Sequence, residues 1–334
     1  MSQTVTSTAV DATIPSAMME TPPPEISHLD RVAYLFGYPI AHSLSPLFHG
    51  TIFRSLNLNY LQYLYETQTL KDCIELTKDP KFLGASVTMP FKVAIIPYLD
   101  QLTPEGAAIG AINTIYHRTS PSGEKILCGT NTDCIGVREA ILQNASAATI
   151  ASIKGSAGMV IGGGGTCRAA VYSLKKFLGC ETVYMVNRDK SECDAVITEC
   201  SSNGFGDNLL YIESVEQAKS LAAPTVIISA IPDFTPISDD EHRARGIITE
   251  FLGKEGEKGV ILEMCYHPSP DTQIAALATK AGWQVVGGVE AMINQGLEQD
   301  KVWLGVELEQ LPVKEVRTVV LEKLANDRAK HASS

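Results

Sequence analysis

Clustered positive charge is what this chain most conspicuously lacks. Lys and Arg total 27 against 38 Asp and Glu, for a formal net charge of -11, and no segment gathers the basic residues into a patch. Binding to a phosphate backbone or an anionic bilayer needs such a patch, so nucleic acid and membrane surfaces are excluded as partners. Long hydrophobic runs are missing too, since none approaches the roughly 18 apolar residues of a membrane-crossing helix. The 8 cysteines (Cys73, Cys128, Cys134, Cys167, Cys180, Cys193, Cys200 and Cys265) include no Cys-x-x-Cys pair and no zinc-like spacing. No metal is expected on that pattern, and the thiols read as reduced, mostly buried groups of a cytoplasmic protein. Residues 1–30 contain neither Lys nor Arg and are rich in Thr, Ser, Ala and Pro. That composition predicts a disordered tail, not an Arg-rich organelle presequence or a secretory signal.

What is present is an ordinary globular composition, 45% apolar and 19% charged over 334 residues, long enough for two domains flanking a cleft. Apolar and aromatic runs predict strands at 32–37, 60–65 and 83–88, with helices at 42–56 and 70–78 between them. A further strand at 126–130 leads through a loop into a helix at 136–142, and the small, polar stretch 145–154 reads as a crossing between lobes. Then a second α/β pattern begins: strand 159–161, four glycines, helix 167–178 and strand 182–186, with later strands at 225–229, 260–264 and 284–286. The order predicts a doubly wound parallel sheet, with the glycines at its first strand-to-helix turn. Helical patterns at 291–304 and 313–326 are expected to pack back on the first lobe. The fold class is thus α/β in two domains: a first lobe over 31–135, a Rossmann-type dinucleotide domain over 136–287, and helices from 288 to 334 completing the first lobe.

Chemistry enters at three places. Gly162, Gly164 and Gly165 follow an apolar strand and open a helix, so backbone N–H groups can meet a pyrophosphate where the helix dipole favours negative charge. The third glycine of the usual fingerprint is replaced by Cys167. At the end of the next strand, Asn187, Arg188 and Asp189 fall where a dinucleotide fold meets the adenosine ribose. Asp189, with Glu192 nearby, disfavours a 2′-phosphate, which points to NAD over NADP, while Arg188 can bind that phosphate or stack on adenine. The third place is the segment from Ser86 to Asp133, which supplies an amine at Lys92, an amide at Asn113 and a carboxylate at Asp133. Lys92 follows a strand stopped by Pro90, and Asp133 can equally cap the helix that it precedes. Ser43 and Ser45 offer hydroxyls at a turn where Ser45 can also be the helix N-cap with Pro46 after it. Tyr266 follows a late strand, and Gln295 lies in the helix after Gly287 and Gly288.

Together these motifs resemble the shikimate/quinate dehydrogenase family from about Val32 to Leu304. Residues 37–46, Gly-Tyr-Pro-Ile-Ala-His-Ser-Leu-Ser-Pro, look like its carboxylate motif, which implies that Ser43 and Ser45 hold a substrate carboxylate. Residues 84–92 look like its Gly-x-Asn-Val-Thr-x-Pro-x-Lys motif, implying a catalytic Lys92 and a substrate contact at Thr88. The resemblance further implies Asn113 and Asp133 on the ring hydroxyls, Asp133 as the partner of Lys92, and Tyr266 and Gln295 at the substrate. It places Ser229 and Gly288, with the glycine loop, at the cofactor. Ser86 stands where the family usually has Asn, Ser229-Ala230-Ile231-Pro232 replaces Asn-Ala-Thr-Ser, and Asp189 replaces a small hydroxyl residue. These departures imply the NAD-using branch, acting on quinate and also shikimate; a monomer or homodimer is expected. The alternatives are an NADP-dependent shikimate dehydrogenase and a catalytically silent relative that senses quinate.

Overall fold

Two six-stranded sheets account for the strands that the hydrophobic pattern predicts and for several that it does not. The computed structural model describes residues 23–267 and 269–332. The first sheet contains β1 (Arg31–Gly37), β2 (Tyr60–Glu66), β3 (Phe82–Val87), β4 (Gln101–Leu102), β5 (Thr114–Thr119) and β6 (Lys125–Thr130), in the order β2-β1-β3-β5-β6-β4. Its first three strands are parallel, whereas β5 runs antiparallel to both β3 and β6. No hydrophobic run predicts the strand at Thr114–Thr119. That segment, Thr-Ile-Tyr-His-Arg-Thr, is buried only at its first residues and ends exposed, so the hydrophobic signal is weak and the pairing with β6 makes the strand.

The second sheet is wholly parallel and contains β7 (Ala157–Ile161), β8 (Thr182–Val186), β9 (Leu209–Tyr211), β10 (Val226–Ser229), β11 (Val260–Glu263) and β12 (Gln284–Gly287). Its order, β12-β11-β10-β7-β8-β9, is the doubly wound arrangement of a dinucleotide fold, with the strand order reversing between β7 and β10. Helices cover both faces. Val160, Met185, Ile228 and Leu262 point into one core, and Met159, Tyr184, Ile227 and Ile261 into the other. These strands therefore read as continuous apolar runs.

Four boundaries differ from expectation. The tail predicted over 1–30 falls outside the described residues as far as 22, while Ile26 and Leu29 already pack against the first lobe's core. The helix predicted from 42 runs over Ser45–Ser55. Ser45 is its first residue and not its cap, because Ser43 Oγ accepts the Ser45 N–H at 3.2 Å. The division drawn at 135/136 lies inside a continuous helix, Asp133–Asn144, whose Val137, Ala140 and Ile141 are buried in the dinucleotide domain's core. The helix predicted at 167–178 begins at Gly165 and finishes as a π turn at Ser173–Phe177.

The C-terminal helices return as expected. Helix Gly288–Leu304 crosses Asp133–Asn144 so closely that a Cβ on Gly136 would lie 2.5 Å from Ala291 O and 2.9 Å from Gln295 Cβ. Trp303 Nε1 donates to Ile115 O at 3.2 Å, tying that helix to β5. Helix Val313–Ala332 places Val316 and Val320 against Phe48, Ile52 and Phe53. Among the described residues, no helix is long and apolar enough to cross a membrane. The 8 cysteines are unpaired and all but Cys265 are buried. Burial pushes the Cys73, Cys134, Cys167 and Cys193 thiols up to about 12, which leaves them protonated and unreactive.

Candidate active site

Lys92 is fixed by its neighbours before its own side chain is considered. β3 ends at Val87, and a single helical turn, Phe91–Ala94, follows. Phe91 and Ile95 are buried in the first core, the Phe91 N–H donates to Thr88 O, and the Lys92 carbonyl accepts the Ile112 N–H at 2.7 Å. So anchored, Lys92 Nζ lies 2.6 Å from Asp133 Oδ2, with the two side chains 16% and 13% exposed. Asp133 opens its helix but does not cap it. Asn131 Oδ1 accepts the Cys134 N–H instead, leaving the Asp133 carboxylate free for other partners.

Asn113 supplies the second of these partners. Its Nδ2 donates to Asp133 Oδ1 at 2.7 Å, to Thr132 Oγ1 at 2.9 Å and to Gln295 Oε1 at 3.2 Å. Its own backbone links two strands, since Val87 N–H donates to Asn113 O and Asn113 N–H to Thr130 O. A buried chain of amides and hydroxyls stands behind it. Gln299 Nε2 donates to Asn113 O and Thr114 Oγ1, Gln299 Oε1 accepts from Ser86 Oγ at 2.9 Å, and Ser86 Oγ accepts from Gln62 Nε2 at 3.1 Å. The hydroxyl of Ser86 is therefore committed to scaffold, although the residue lines the cavity. A connected network of this kind holds its members in one geometry.

Lys92, Asp133, Asn113, Thr88, Ser43, Ser45, Tyr266 and Gln295 all line one cavity of about 240 Å³, together with His49, Met264 and Gln299. That volume suits a single substituted ring. Burial pushes the Tyr266 phenol above its ordinary range, so it stays a hydrogen-bond donor. A second cavity, of about 360 Å³, opens beside the other sheet and is lined by Gly163, Gly164, Asn187, Arg188, Ile231, Phe234 and Glu241. Met89 belongs to this second wall, while Thr88 and Lys92 belong to the first, so one short loop separates the two.

The residues of the glycine loop fit a dinucleotide. Gly162 has φ of 123°, a conformation that side chains avoid, and its Cβ would lie 2.9 Å from Cys167 Sγ. Cys167 is fully buried beneath the loop, so the position that usually needs glycine for helix–strand packing accepts a small thiol here. Gly164 faces open space, and a Cβ on Gly165 would meet only Lys92 Cδ, at 4.0 Å. The N-terminus of helix Gly165–Tyr172 thus presents bare backbone to an anion within reach of Lys92.

The other expected cofactor contacts are spread more widely. Asp189 caps helix Lys190–Ser202 by accepting from Ser191 N at 2.8 Å. The Ser191 hydroxyl and amide hold its carboxyl below the usual range. Arg188 Nη1 lies 2.5 Å from Glu241 Oε1. The Ile237 and Ser238 amides and that guanidinium hold the Glu241 carboxyl down to about 2. Asn187 Nδ2 is bound to Glu192 Oε2 at 2.6 Å. Ser229 is fully buried at the end of β10 and does not reach either cavity, and Gly288 lines the first cavity, not the second. Gly163, Gln299, Glu241 and His49 are among the site residues that the sequence patterns did not single out. Only Gly163, inside the four-glycine run, had a local signal.

A dinucleotide loop opening onto an amine–carboxylate pair beside a ring-sized cavity defines the class: an oxidoreductase acting on a CH–OH group. Residues 35–115 match the family described as the shikimate dehydrogenase substrate binding domain. The chain is 42% identical over 313 residues to a quinate dehydrogenase of Emericella nidulans, covering 89% of this chain and 95% of that one. It is also similar to a shikimate dehydrogenase solved in complex with NADP+, with TM-score 0.69, 26% identity and coverage of 88% and 96%. A quinate dehydrogenase from Corynebacterium glutamicum in complex with NAD shares the fold, with TM-score 0.72, 19% identity and coverage of 88% and 99%. The chain belongs to the shikimate/quinate dehydrogenase family.

Proposed function

We propose that the protein is an NAD-dependent quinate dehydrogenase that also accepts shikimate, oxidising a ring hydroxyl to the 3-dehydro ketone. The observation that carries this reading is the Lys92–Asp133–Asn113 cluster on the wall of a ring-sized cavity, with Lys92 Cδ at 4.0 Å from the Cβ position of Gly165. A bound nicotinamide ring would supply the hydride acceptor for the carbinol carbon. Lys92 takes the hydroxyl proton as the hydride leaves. Asp133 aligns the neutral amine and a ring hydroxyl beforehand and holds the ammonium that the transfer forms, and Asn113 keeps the carboxylate from rotating. Ser43 and Ser45 hold the substrate carboxylate at the far end and so decide which hydroxyl faces the cofactor. Thr88, Tyr266 and Gln295 complete the ring's surroundings.

NAD is favoured over NADP by the state of the two charged residues at the ribose position. Asp189 is an ionised, capping carboxylate, and the Arg188 guanidinium is already bound to Glu241. A 2′-phosphate there would meet one fixed negative charge and no free positive one. Initial rates with each cofactor against each substrate test the reading. NAD with quinate is expected to give the highest kcat/KM. A preference for NADP with shikimate would support the biosynthetic alternative instead, and quinate binding without turnover would support a sensor.

A further inference from the structure

An ionisable pair that the proposed chemistry does not use stands behind the substrate cavity. His49 Nδ1 and Asp300 Oδ2 are 2.7 Å apart, and both side chains are at most 1% exposed. Phe48 packs edge-on at 5.0 Å and Trp303 at 4.7 Å between ring centroids, so the surroundings are otherwise apolar. Asp300 Oδ1 has no hydrogen-bond partner among the described residues. Burying such a pair costs desolvation that two apolar side chains would not incur, so packing alone does not account for it.

Its position suggests what does. His49 follows Ser45 by one helical turn and so shares its face of helix Ser45–Ser55. Both residues line the substrate cavity. Asp300 occupies the ring's Nδ1 and fixes its orientation. The remaining nitrogen, Nε2, has no protein hydrogen bond among the described residues.

We propose that His49 Nε2 pairs with a hydroxyl borne by the same ring carbon as the substrate carboxylate, with Asp300 as the positioning residue. His49 would then select a saturated, 1-hydroxylated ring acid, such as quinate, over one with a double bond at that carbon, such as shikimate. The proposal rests on the reading that Ser43 and Ser45 hold the carboxylate, which puts that carbon next to His49. A site that leaves its buried nitrogen unpaired discriminates strongly against the substrate lacking the group.

The test is the ratio of kcat/KM for quinate to that for shikimate in the wild-type enzyme, His49→Phe, Asp300→Asn and Ser43→Ala, with inhibition constants used where one substrate is turned over too slowly. His49→Phe is expected to lower the ratio at least ~10-fold, and Asp300→Asn to lower it in the same direction. A merely structural role would depress both substrates together and move only the melting temperature. An unchanged ratio in His49→Phe overturns the proposal. Should that variant not fold, an unchanged ratio in Asp300→Asn overturns it equally. Ser43→Ala separates the two readings: it should weaken both substrates, and full activity in it would remove the carboxylate assignment on which the proposal stands.

Discussion

Replacing Lys92 with Ala should damage the chemical step far more than substrate binding. The side chain sits 2.6 Å from Asp133 Oδ2 and contributes to the cavity wall at the end facing the glycine loop. Its loss removes the group proposed to take the hydroxyl proton, and positioned proton transfer is worth about 10²- to 10⁴-fold in rate. That range corresponds to about 3–5 kcal/mol of barrier. The carboxylate left behind is not abandoned, because Asn113 Nδ2 still donates to its other oxygen at 2.7 Å. The fold should therefore survive with a loss of about 1–3 kcal/mol, as for a partly compensated buried charge. The assay is steady-state oxidation followed by nicotinamide absorbance, with substrate affinity measured separately by titration. The expected result is a kcat reduced by at least ~100-fold with a dissociation constant changed only a few-fold. A kcat within ~10-fold of wild type would refute the role assigned to Lys92.

Further expectations concern the cofactor, the helix crossing and pH. Asp189→Ser should raise the NADP-to-NAD ratio of kcat/KM, and Glu241→Gln, which releases Arg188, should raise it further in the double variant; no shift in either would detach these residues from cofactor choice. Gly136→Ala inserts a methyl group 2.5 Å from Ala291 O, so its melting transition should show about 1–3 kcal/mol of destabilisation together with weaker substrate binding through Gln295. Glu263 is 2% exposed, and burial raises its carboxyl from 4.5 to about 7. The native state thus binds its proton more tightly than the unfolded chain. This stabilisation is complete below pH 4.5 and is lost as the pH rises through 7, by at most about 3 kcal/mol. Denaturant titrations from pH 5 to 8 should show that decline in the wild type and a flatter profile in Glu263→Gln.

Much of the site could be read locally because its members sit at chain landmarks. Lys92 follows a proline-stopped strand, Asp133 starts a helix, and the four glycines follow an apolar strand. The residues that escaped notice act across long separations. Gln299 meets Asn113 over 186 positions, and His49 meets Asp300 over 251. No pattern in either segment announces such a partner. Ser86, whose short side chain looks like a change to the substrate pocket, is a hydrogen-bond link between Gln62 and Gln299. The strand Thr114–Thr119 escaped for a related reason, since its signal lies in pairing and not in hydrophobicity. The split of the chain at 136 followed a change of motif that the backbone does not share.

The helix that begins with Asp133 is a beam common to both lobes. Its first residue belongs to the substrate cavity, and two turns later its side chains are locked among Val160, Cys167 and Val171 of the dinucleotide core. A cleft that closes on its ligands cannot carry the carboxylate along with either lobe as a passenger. Unless the axis of rotation passes close to this helix, the 2.6 Å contact with Lys92 is pulled apart. The beam thus ties the alignment of the lobes to the Lys92–Asp133 contact.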